Sequence, residues 1–202
     1  MRRFDGRELV IATHNQGKLE EIAELLSAYG VSLTSNADHG LPEPEETEAT
    51  FAGNARIKAH AAARATGLPA LADDSGIEID ALGGAPGVHT ADWAETPDGR
   101  NFELAMERSW AALESVFAPF PRTARFCCTL VLAWPDGHDE VFAGVMPGQI
   151  VWPMRGEQGH GYDPIFQPEG SDVTFGEMDR WEKNKISHRA DAFAKLIAGS
   201  FA

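Results

Sequence analysis

The sequence predicts a mixed α/β domain, and three observations support this fold class. Apolar runs of strand length alternate with segments whose apolar residues recur at helical spacing. A long alternating run over 124–132 is followed by the turn sequence WPDGHDE and a return strand, which indicates a hairpin. The chain has 202 residues and 43% hydrophobic content, enough for a sizeable core, so residues 1–202 are expected to form a single domain.

Strand and helix patterns alternate in the first half of the chain. The predicted elements are a strand over 8–13, a short loop HNQG, a helix with Leu19, Ile22, Ala23 and Leu26 on one face, a strand over 31–34, an acidic loop over 38–47, and a helix with Phe51, Ala55, Ala59 and Ala62 on one face. Gly30 is expected to end the first helix, and the second is expected to end near Gly67.

The second half keeps this alternation and adds the hairpin. Its predicted elements are the strand LPALADDSG, a tight turn region over 83–87, a helix over 102–117, the strand over 124–132, the turn WPDGHDE, a return strand beginning over 141–145, the glycine-rich loop MRGEQGHGYDP, and a last helix with Ile186, Ala190, Phe193, Ala194 and Ile197 on one face. No internal repeat or linker interrupts this order.

Composition narrows the class of partner. The formal net charge of −14 disfavours polymeric nucleic acid, which is normally met by a basic face. A small anionic ligand is compatible with this charge, because local basic residues or a divalent ion can neutralise phosphate. No stretch reaches the ~18 apolar residues of a membrane span, so no membrane association is expected. Cys127 and Cys128 are strand neighbours that face opposite ways, which disfavours a bridge and suits a cytoplasmic location.

Two groups of carboxylates stand out. Asp73 and Asp74 come at the end of an apolar run and predict either an Asx-type turn or a site for a cation such as Mg²⁺. Adjacent strand residues point to opposite faces, so only one of the two should face the site while the other holds backbone or a basic partner. The second group is formed by the glutamates of the acidic loop before the second helix. The alternative to a cation site in this loop is a structural role, in which Thr47 caps the helix.

Two predicted helices begin with basic residues, which the helix dipole disfavours unless an anion binds there. The first follows T-H-N-Q-G-K, residues 13–18, where an ordinary turn with an asparagine cap is the alternative. The start of the last helix contains K-N-K-I-S-H-R, residues 183–189, in which Ser187 is a candidate cap. Four basic groups at one helix start favour a polyanion such as a nucleotide phosphate chain.

The loop G-H-G-Y-D-P, residues 159–164, predicts a pocket for a nucleobase. Its glycines allow close approach, Tyr162 can stack on a flat ring and Asp163 can accept from ring N–H groups. The alternative is a turn with Tyr162 packed in the core.

These motifs together resemble the inosine/xanthosine triphosphate pyrophosphatase family. The resemblance rests on T-x-N-x-G-K, E-E-T-x-x-T-F-x-x-N-A-x-x-K-A, A-D-D-S-G, L-G-G-A-P-G, G-Y-D-P-x-F and E-K-N-x-x-S-H-R. Each motif is weak alone, but the set occurs in family order from Thr13 to Arg189. The family usually has glycine where His14 stands and phenylalanine where His160 stands. At position 14, the alternatives are that histidine adds a phosphate contact or that it only narrows the loop, and His160 argues against aromatic stacking at its position.

The resemblance implies an elongated mixed β-sheet flanked by helices, two lobes around a central substrate cleft, and a homodimer. It implies Mg²⁺-dependent hydrolysis of ITP, dITP and XTP to the monophosphate and pyrophosphate. Glu46 and Asp74 would serve the metal, and Asp74 would be the catalytic base. The substrate contacts that it implies are Thr13, His14, Asn15, Gln16, Gly17, Lys18, Ser75, His160, Gly161, Tyr162, Asp163, Lys183, His188 and Arg189.

Two other functions are compatible with parts of this pattern. An aspartyl-phosphate phosphatase would need a D-x-D spacing after a strand, which the adjacent pair Asp73 and Asp74 lacks. A nucleotide-binding regulator without turnover would need no catalytic base, and the intact carboxylates disfavour it.

Overall fold

The computed structural model of the chain describes residues 1–201. Its helices and strands, in chain order, are β1 Glu8–Ile11, α1 Gln16–Leu26, β2 Ser32–Ser35, α2 Phe51–Thr66, β3 Ala70–Ile79, β4 Glu95–Thr96, β5 Gly99–Arg100, α3 Phe102–Ser115, β6 Thr123–Ala133, β7 Asp139–Ile150, β8 Phe166–Pro168, α4 Arg180–Ile186 and α5 His188–Leu196. A π-helical turn, Ile197–Phe201, follows α5. Among residues 1–201, no helix is both long and apolar enough to span a membrane.

Six strands form one sheet in the order β2-β1-β3-β6-β7-β8. β1 pairs parallel with β2 and with β3, whereas β7 pairs antiparallel with β8. The sheet is therefore mixed, and the predicted mixed α/β fold is confirmed. β4 and β5 form a separate two-stranded pair that the sequence did not predict, because each strand has only two residues.

The alternation of side chains in β1 and β3 determines where α1 and α2 pack. Leu9, Ile11 and Leu71 belong to one apolar cluster with Ile22 and Leu26 of α1. The intervening strand residues belong to a second cluster with the alanines of α2: Val10, Ala12, Ala70 and Ala72. Because successive strand residues point to opposite faces, α1 and α2 cover opposite faces of these two strands.

The chain divides into two compact units, in keeping with the expected two lobes. Among the described residues, the first unit comprises 1–74, 128–144 and 192–201, and the second comprises 75–127 and 145–191. The clusters packed on α1 and α2 lie in the first unit. The second unit has an aromatic-rich core of its own that includes Phe126, Phe166 and Phe175.

Three predicted features of the strands and helices differ from the structure. β3 does not end at Gly76, as the predicted strand LPALADDSG does, but continues to Ile79, so neither Asp73 nor Asp74 makes the Asx-type turn. The predicted last helix is two helices that meet at Ser187, whose hydroxyl accepts from the backbone N–H of Ala190 as a cap for α5. α2 is capped by Thr50 and not by Thr47, since the Thr50 hydroxyl accepts from the N–H of Gly53.

Candidate active site

Asp73 and Asp74 lie within β3 and are both buried. Asp73 shares its strand face with Leu71, on the α1 side, and its Oδ2 lies 3.0 Å from the Nζ of Lys18 at the start of α1. Asp74 lies on the α2 face, and its Oδ1 lies 3.6 Å from the Nζ of Lys58 in α2. The prediction that the two carboxylates face opposite ways is confirmed, and each has a lysine from the helix on its own side.

Lys58 is the residue that sequence reasoning missed. It is buried, and its Nζ contacts the Oε1 of Glu46 at 3.1 Å as well as Asp74. Burial alone would lower the pKa of this lysine, but the charges of Asp73, Asp74 and Glu46 outweigh burial and raise it. The sequence does carry an indication, because Lys58 interrupts the alanine stripe of α2, where a lysine is rarely buried unless it is paired.

The carboxylate–lysine cluster, defined as Glu46, Asp73, Asp74, Lys18 and Lys58, contains more negative than positive groups. Burial, together with the nearby carboxylates Glu46 and Asp73, raises the pKa of Asp74 to about 6, against the opposing charges of the two lysines. A group with this pKa can exchange a proton with water near neutral pH, as a general base must.

The raised pKa of Asp74 predicts a pH-dependent stability of the metal-free protein. The unfolded chain releases this proton near pH ~4, whereas the folded protein holds it until about pH 6. The free energy of unfolding should therefore decrease across that window, by up to about 3 kcal/mol. Urea titrations of the wild type and Asp74→Asn at several pH values measure this, because the variant lacks the titrating group. A stability difference that is constant with pH would contradict the raised pKa.

The cluster fits a divalent cation such as Mg²⁺. Glu46 and Asp74 both approach one buried ammonium, so both carboxylates can face a single cation. No group of three or more His, Cys, Asp or Glu side chains in residues 1–201 is arranged as a complete metal site. Mg²⁺ does not need one, because it keeps several waters and is commonly held by one or two carboxylates together with substrate phosphates.

The loop over residues 13–18 joins β1 to α1, as predicted. The Asn15 side chain caps α1 by accepting from the N–H of Lys18 at 3.1 Å, and the Thr13 hydroxyl accepts from the N–H of Asn15. The ring Nε2 of His14 lies 3.0 Å from the carbonyl oxygen of Leu41. The Gln16 side chain donates to Glu20, one turn further along α1. The asparagine cap is thus present, and the binding of an anion at this loop stays a prediction.

A second group of predicted residues lies in the second unit, around Asp163. Its Oδ2 accepts from the Nζ of Lys183 at 2.5 Å and from the backbone N–H of His160 at 2.8 Å, and both charged residues are buried. Tyr162 is also buried, with its ring edge-on to Phe102 and its hydroxyl donating to the carbonyl of Thr90. The predicted stacking of Tyr162 on a flat ring was therefore wrong, because this ring belongs to the core.

Gly159 is required by the position of Asp163. A Cβ at residue 159 would lie 2.0 Å from the Oδ2 of Asp163, at a φ of +75°. We expect Gly159→Ala to displace the Asp163 carboxylate and to lower the free energy of unfolding by several kcal/mol, more than the roughly 1 kcal/mol expected from φ strain alone. Gly170→Ala is the matched control, since its φ is +79° and no atom lies within 4 Å of the added Cβ. If urea titrations show the same decrease in the free energy of unfolding for both variants, the contact with Asp163 does not contribute to the effect.

The basic residues near Ser187 are arranged differently from the prediction. Lys183 and Lys185 lie in the last turn of α4, where the helix dipole favours them. Only His188 and Arg189 begin α5. The ring of His188 stacks on Phe126 at 4.9 Å between centroids, and the Nη2 of Arg189 donates to the hydroxyl of Ser75 at 3.3 Å. Ser75, His188 and Arg189 remain predicted substrate contacts.

The fold and the carboxylate–lysine cluster define a class of α/β protein. Its buried carboxylates can bind a cation, and its strand–loop–helix turn with Lys18 can bind an anion together with that cation. The chain belongs to the Ham1 family, whose model matches residues 9–199. The resemblance found in the sequence motifs is thereby confirmed.

Proteins of known name and structure resemble almost the entire chain. It is 70% identical over 200 residues to the dITP/XTP pyrophosphatase of Ruegeria pomeroyi, covering 99% of this chain and 98% of that protein. It is 54% identical over 208 residues to the protein of the same name from Agrobacterium fabrum, covering 98% and 97%. The solved structure of a HAM1 protein from Coxiella burnetii is 39% identical, with a TM-score of 0.88, and the match covers 95% of this chain and 96% of that one.

Proposed function

We propose that this protein hydrolyses noncanonical purine nucleoside triphosphates, namely ITP, dITP and XTP, to the nucleoside monophosphate and pyrophosphate, and so removes them from the nucleotide pool. The observation that carries the proposal is the carboxylate–lysine cluster, of which Asp73, Asp74 and Lys58 are buried, in a chain 70% identical to a protein named dITP/XTP pyrophosphatase. Both alternatives from the sequence are less well supported, because neither explains a buried acid with a pKa near 6 beside two lysines.

In this proposal, Asp74 is the general base. It takes a proton from a water molecule that attacks the α-phosphorus in line with the leaving pyrophosphate. In the metal-free protein, a pKa of about 6 leaves Asp74 largely ionised at neutral pH and still able to accept a proton. Lys18, at the start of α1, neutralises charge that develops on the phosphate chain. The Thr13–Lys18 loop holds the triphosphate.

Mg²⁺ is the proposed cofactor, and Glu46 and Asp74 are the residues that would hold it. When bound, it would supply charge neutralisation for the phosphate oxygens. Lys58 keeps these two carboxylates close together in the metal-free protein. The positive charge of Lys58 reduces the repulsion between the two carboxylates. They are therefore already close together before a cation binds.

Selection among purines is proposed to depend on the 6-oxo group and the protonated N1 of the base. A backbone N–H can donate to the 6-oxo group while an acceptor binds the N1–H. Adenine has a donor at position 6 and an acceptor at N1, so it would leave both site groups unpaired and bind with a much less favourable free energy. Guanine differs only at position 2, so its rejection depends on an unpaired or crowded 2-amino group. The proposed contributors are the loop over residues 160–163, in which Tyr162 and Asp163 are buried, and the buried Lys183.

Hydrolysis in ¹⁸O-labelled water tests the position of attack. With ITP and Mg²⁺, attack at the α-phosphorus puts one ¹⁸O into IMP and none into pyrophosphate, which mass spectrometry of the products resolves. Label in pyrophosphate would place the attack at the β-phosphorus, and label in orthophosphate would place it at the γ-phosphorus. Either result would remove Asp74 from its proposed role.

We also propose a homodimer that works in the cytoplasm. Val116, Phe117 and Phe120 lie in one loop and are exposed, Phe117 to 90%, and exposed apolar side chains of this size are typical of contact surfaces. Both cysteines are unbridged, which supports a reducing compartment. Sedimentation of the wild type and of Phe117→Asp tests the dimer. A monomeric wild type would contradict it.

A further inference from the structure

We infer that His14 is a positioning residue that fixes the acidic loop relative to the loop over residues 13–18. In the structure, the acidic loop covers residues 41–49 instead of the predicted 38–47. The ring Nε2 of His14 lies 3.0 Å from the carbonyl oxygen of Leu41, the first residue of the acidic loop. A carbonyl oxygen can only accept, so the ring must carry its proton on Nε2 and donate it to Leu41. This bond connects the proposed triphosphate loop to the loop that carries Glu46.

Leu41 is a firm attachment point. Its side chain packs against the apolar cluster formed by β1, β3 and the alanines of α2. Its backbone N–H donates to the carbonyl of Asn36 at 2.9 Å. With the His14 bond at its carbonyl, the side chain, N–H and C=O of Leu41 all have partners. The start of the acidic loop is therefore held from three directions.

The segment between Leu41 and Glu46 is stiff, so the position of one end constrains the other. Pro42 and Pro44 fix their own φ angles and favour extended backbone at the residues before them. At the far end, Glu46 contacts Lys58 and the N–H of Glu48 donates to the side chain of Asn54 at 2.9 Å. The His14 bond is thus one of the contacts that hold the Leu41 end of this segment, and the contacts of Glu46 and Glu48 hold its other end.

The consequence for the reaction rests on the proposed function. If Glu46 holds Mg²⁺, loss of the His14 bond should weaken Mg²⁺ binding more than nucleotide binding, because it loosens the loop that carries the metal ligand. A direct phosphate contact from the His14 side chain predicts the opposite, a weaker affinity for nucleotide at saturating Mg²⁺. These two roles can be separated by experiment.

Amide hydrogen exchange on the metal-free, nucleotide-free protein tests the structural part independently of any activity. In His14→Ala, the hydrogen-bonded amides of Leu41 and Glu48, at the two ends of the segment, should exchange about three- to tenfold faster than in the wild type, the effect expected for the loss of one exposed hydrogen bond. His14→Gln, which keeps a side-chain N–H donor, should recover part of the protection. His39→Ala is the matched control, since the His39 side chain bonds the hydroxyl of Thr34 and its loss should leave the exchange of these two amides unchanged.

Kinetics test the consequence. In His14→Ala, the Mg²⁺ concentration for half-maximal ITP hydrolysis should rise about fivefold, while KM for ITP at saturating Mg²⁺ should stay within about twofold of the wild type. The inference is overturned if the exchange of the Leu41 and Glu48 amides is unchanged in His14→Ala, or if only KM at saturating Mg²⁺ rises. A wild type without ITP hydrolysis would reject the proposed function and leave the exchange result to decide the position of the loop.

Discussion

Asp74→Asn is expected to abolish ITP hydrolysis and to leave the fold intact. The amide has the size of the carboxylate but cannot accept a proton from water, and loss of a general base typically costs about 10²- to 10⁴-fold in rate. Burial disfavours the ionised Asp74 in the metal-free protein, so removal of its charge should not lower the free energy of unfolding at neutral pH. Initial rates and urea unfolding of the same preparation measure both effects.

The control for this variant is Asp98→Asn, at an exposed aspartate outside the carboxylate–lysine cluster. It should keep the wild-type rate and stability. If Asp74→Asn hydrolyses ITP at the wild-type rate, Asp74 is not the base. Loss of rate together with loss of cooperative unfolding would instead show that Asp74 is needed for folding.

Lys58→Met is expected to have the second large effect, on stability as well as on rate. The buried ammonium of Lys58 contacts Glu46 and Asp74 and lies in the field of Asp73. Its removal leaves buried carboxylates without this counter-charge, which typically costs about 3–5 kcal/mol. The metal-free variant should therefore unfold at a markedly lower urea concentration, and its hydrolysis of ITP should fall at least about tenfold.

Two comparisons separate the charge of Lys58 from its bulk. Lys58→Arg keeps the charge and should recover part of the stability, whereas Lys195→Met, at an exposed lysine of α5, should cost little. Added Mg²⁺ should stabilise Lys58→Met, because a bound cation replaces the missing ammonium beside Glu46 and Asp74. An unfolding midpoint equal to that of the wild type would mean that these carboxylates do not depend on Lys58.

Much of the fold could be predicted because local patterns and packing agree. The 3.6-residue spacing of Ile22 and Leu26 gives α1 the predicted apolar stripe, and in the structure this stripe packs on β1. The alternation of β3 placed Asp73 and Asp74 on opposite faces before any partner was known. The ordered motifs identified the family, because the complete set in this order is far more specific to one family than any single motif.

The remaining differences depend on contacts between residues far apart in the chain. β3 continues through Asp73 and Asp74 because Lys18 and Lys58, from two different helices, compensate the buried charges. Lys58 was overlooked because its partners, Glu46 and Asp74, come from a loop and a strand. Tyr162 looked available for stacking, since nothing in its local sequence reports that Phe102 and Thr90 enclose it.

The most direct test of the proposed function is the product pattern from ITP, XTP, GTP and ATP, each incubated separately with purified protein and Mg²⁺ and resolved by ion-exchange chromatography. We predict IMP or XMP with pyrophosphate from the first two nucleotides and little product from GTP or ATP. Nucleoside diphosphate with orthophosphate would place the attack at the γ-phosphorus and contradict the proposed reaction. No turnover of any of the four would favour a regulator that binds nucleotides without hydrolysing them.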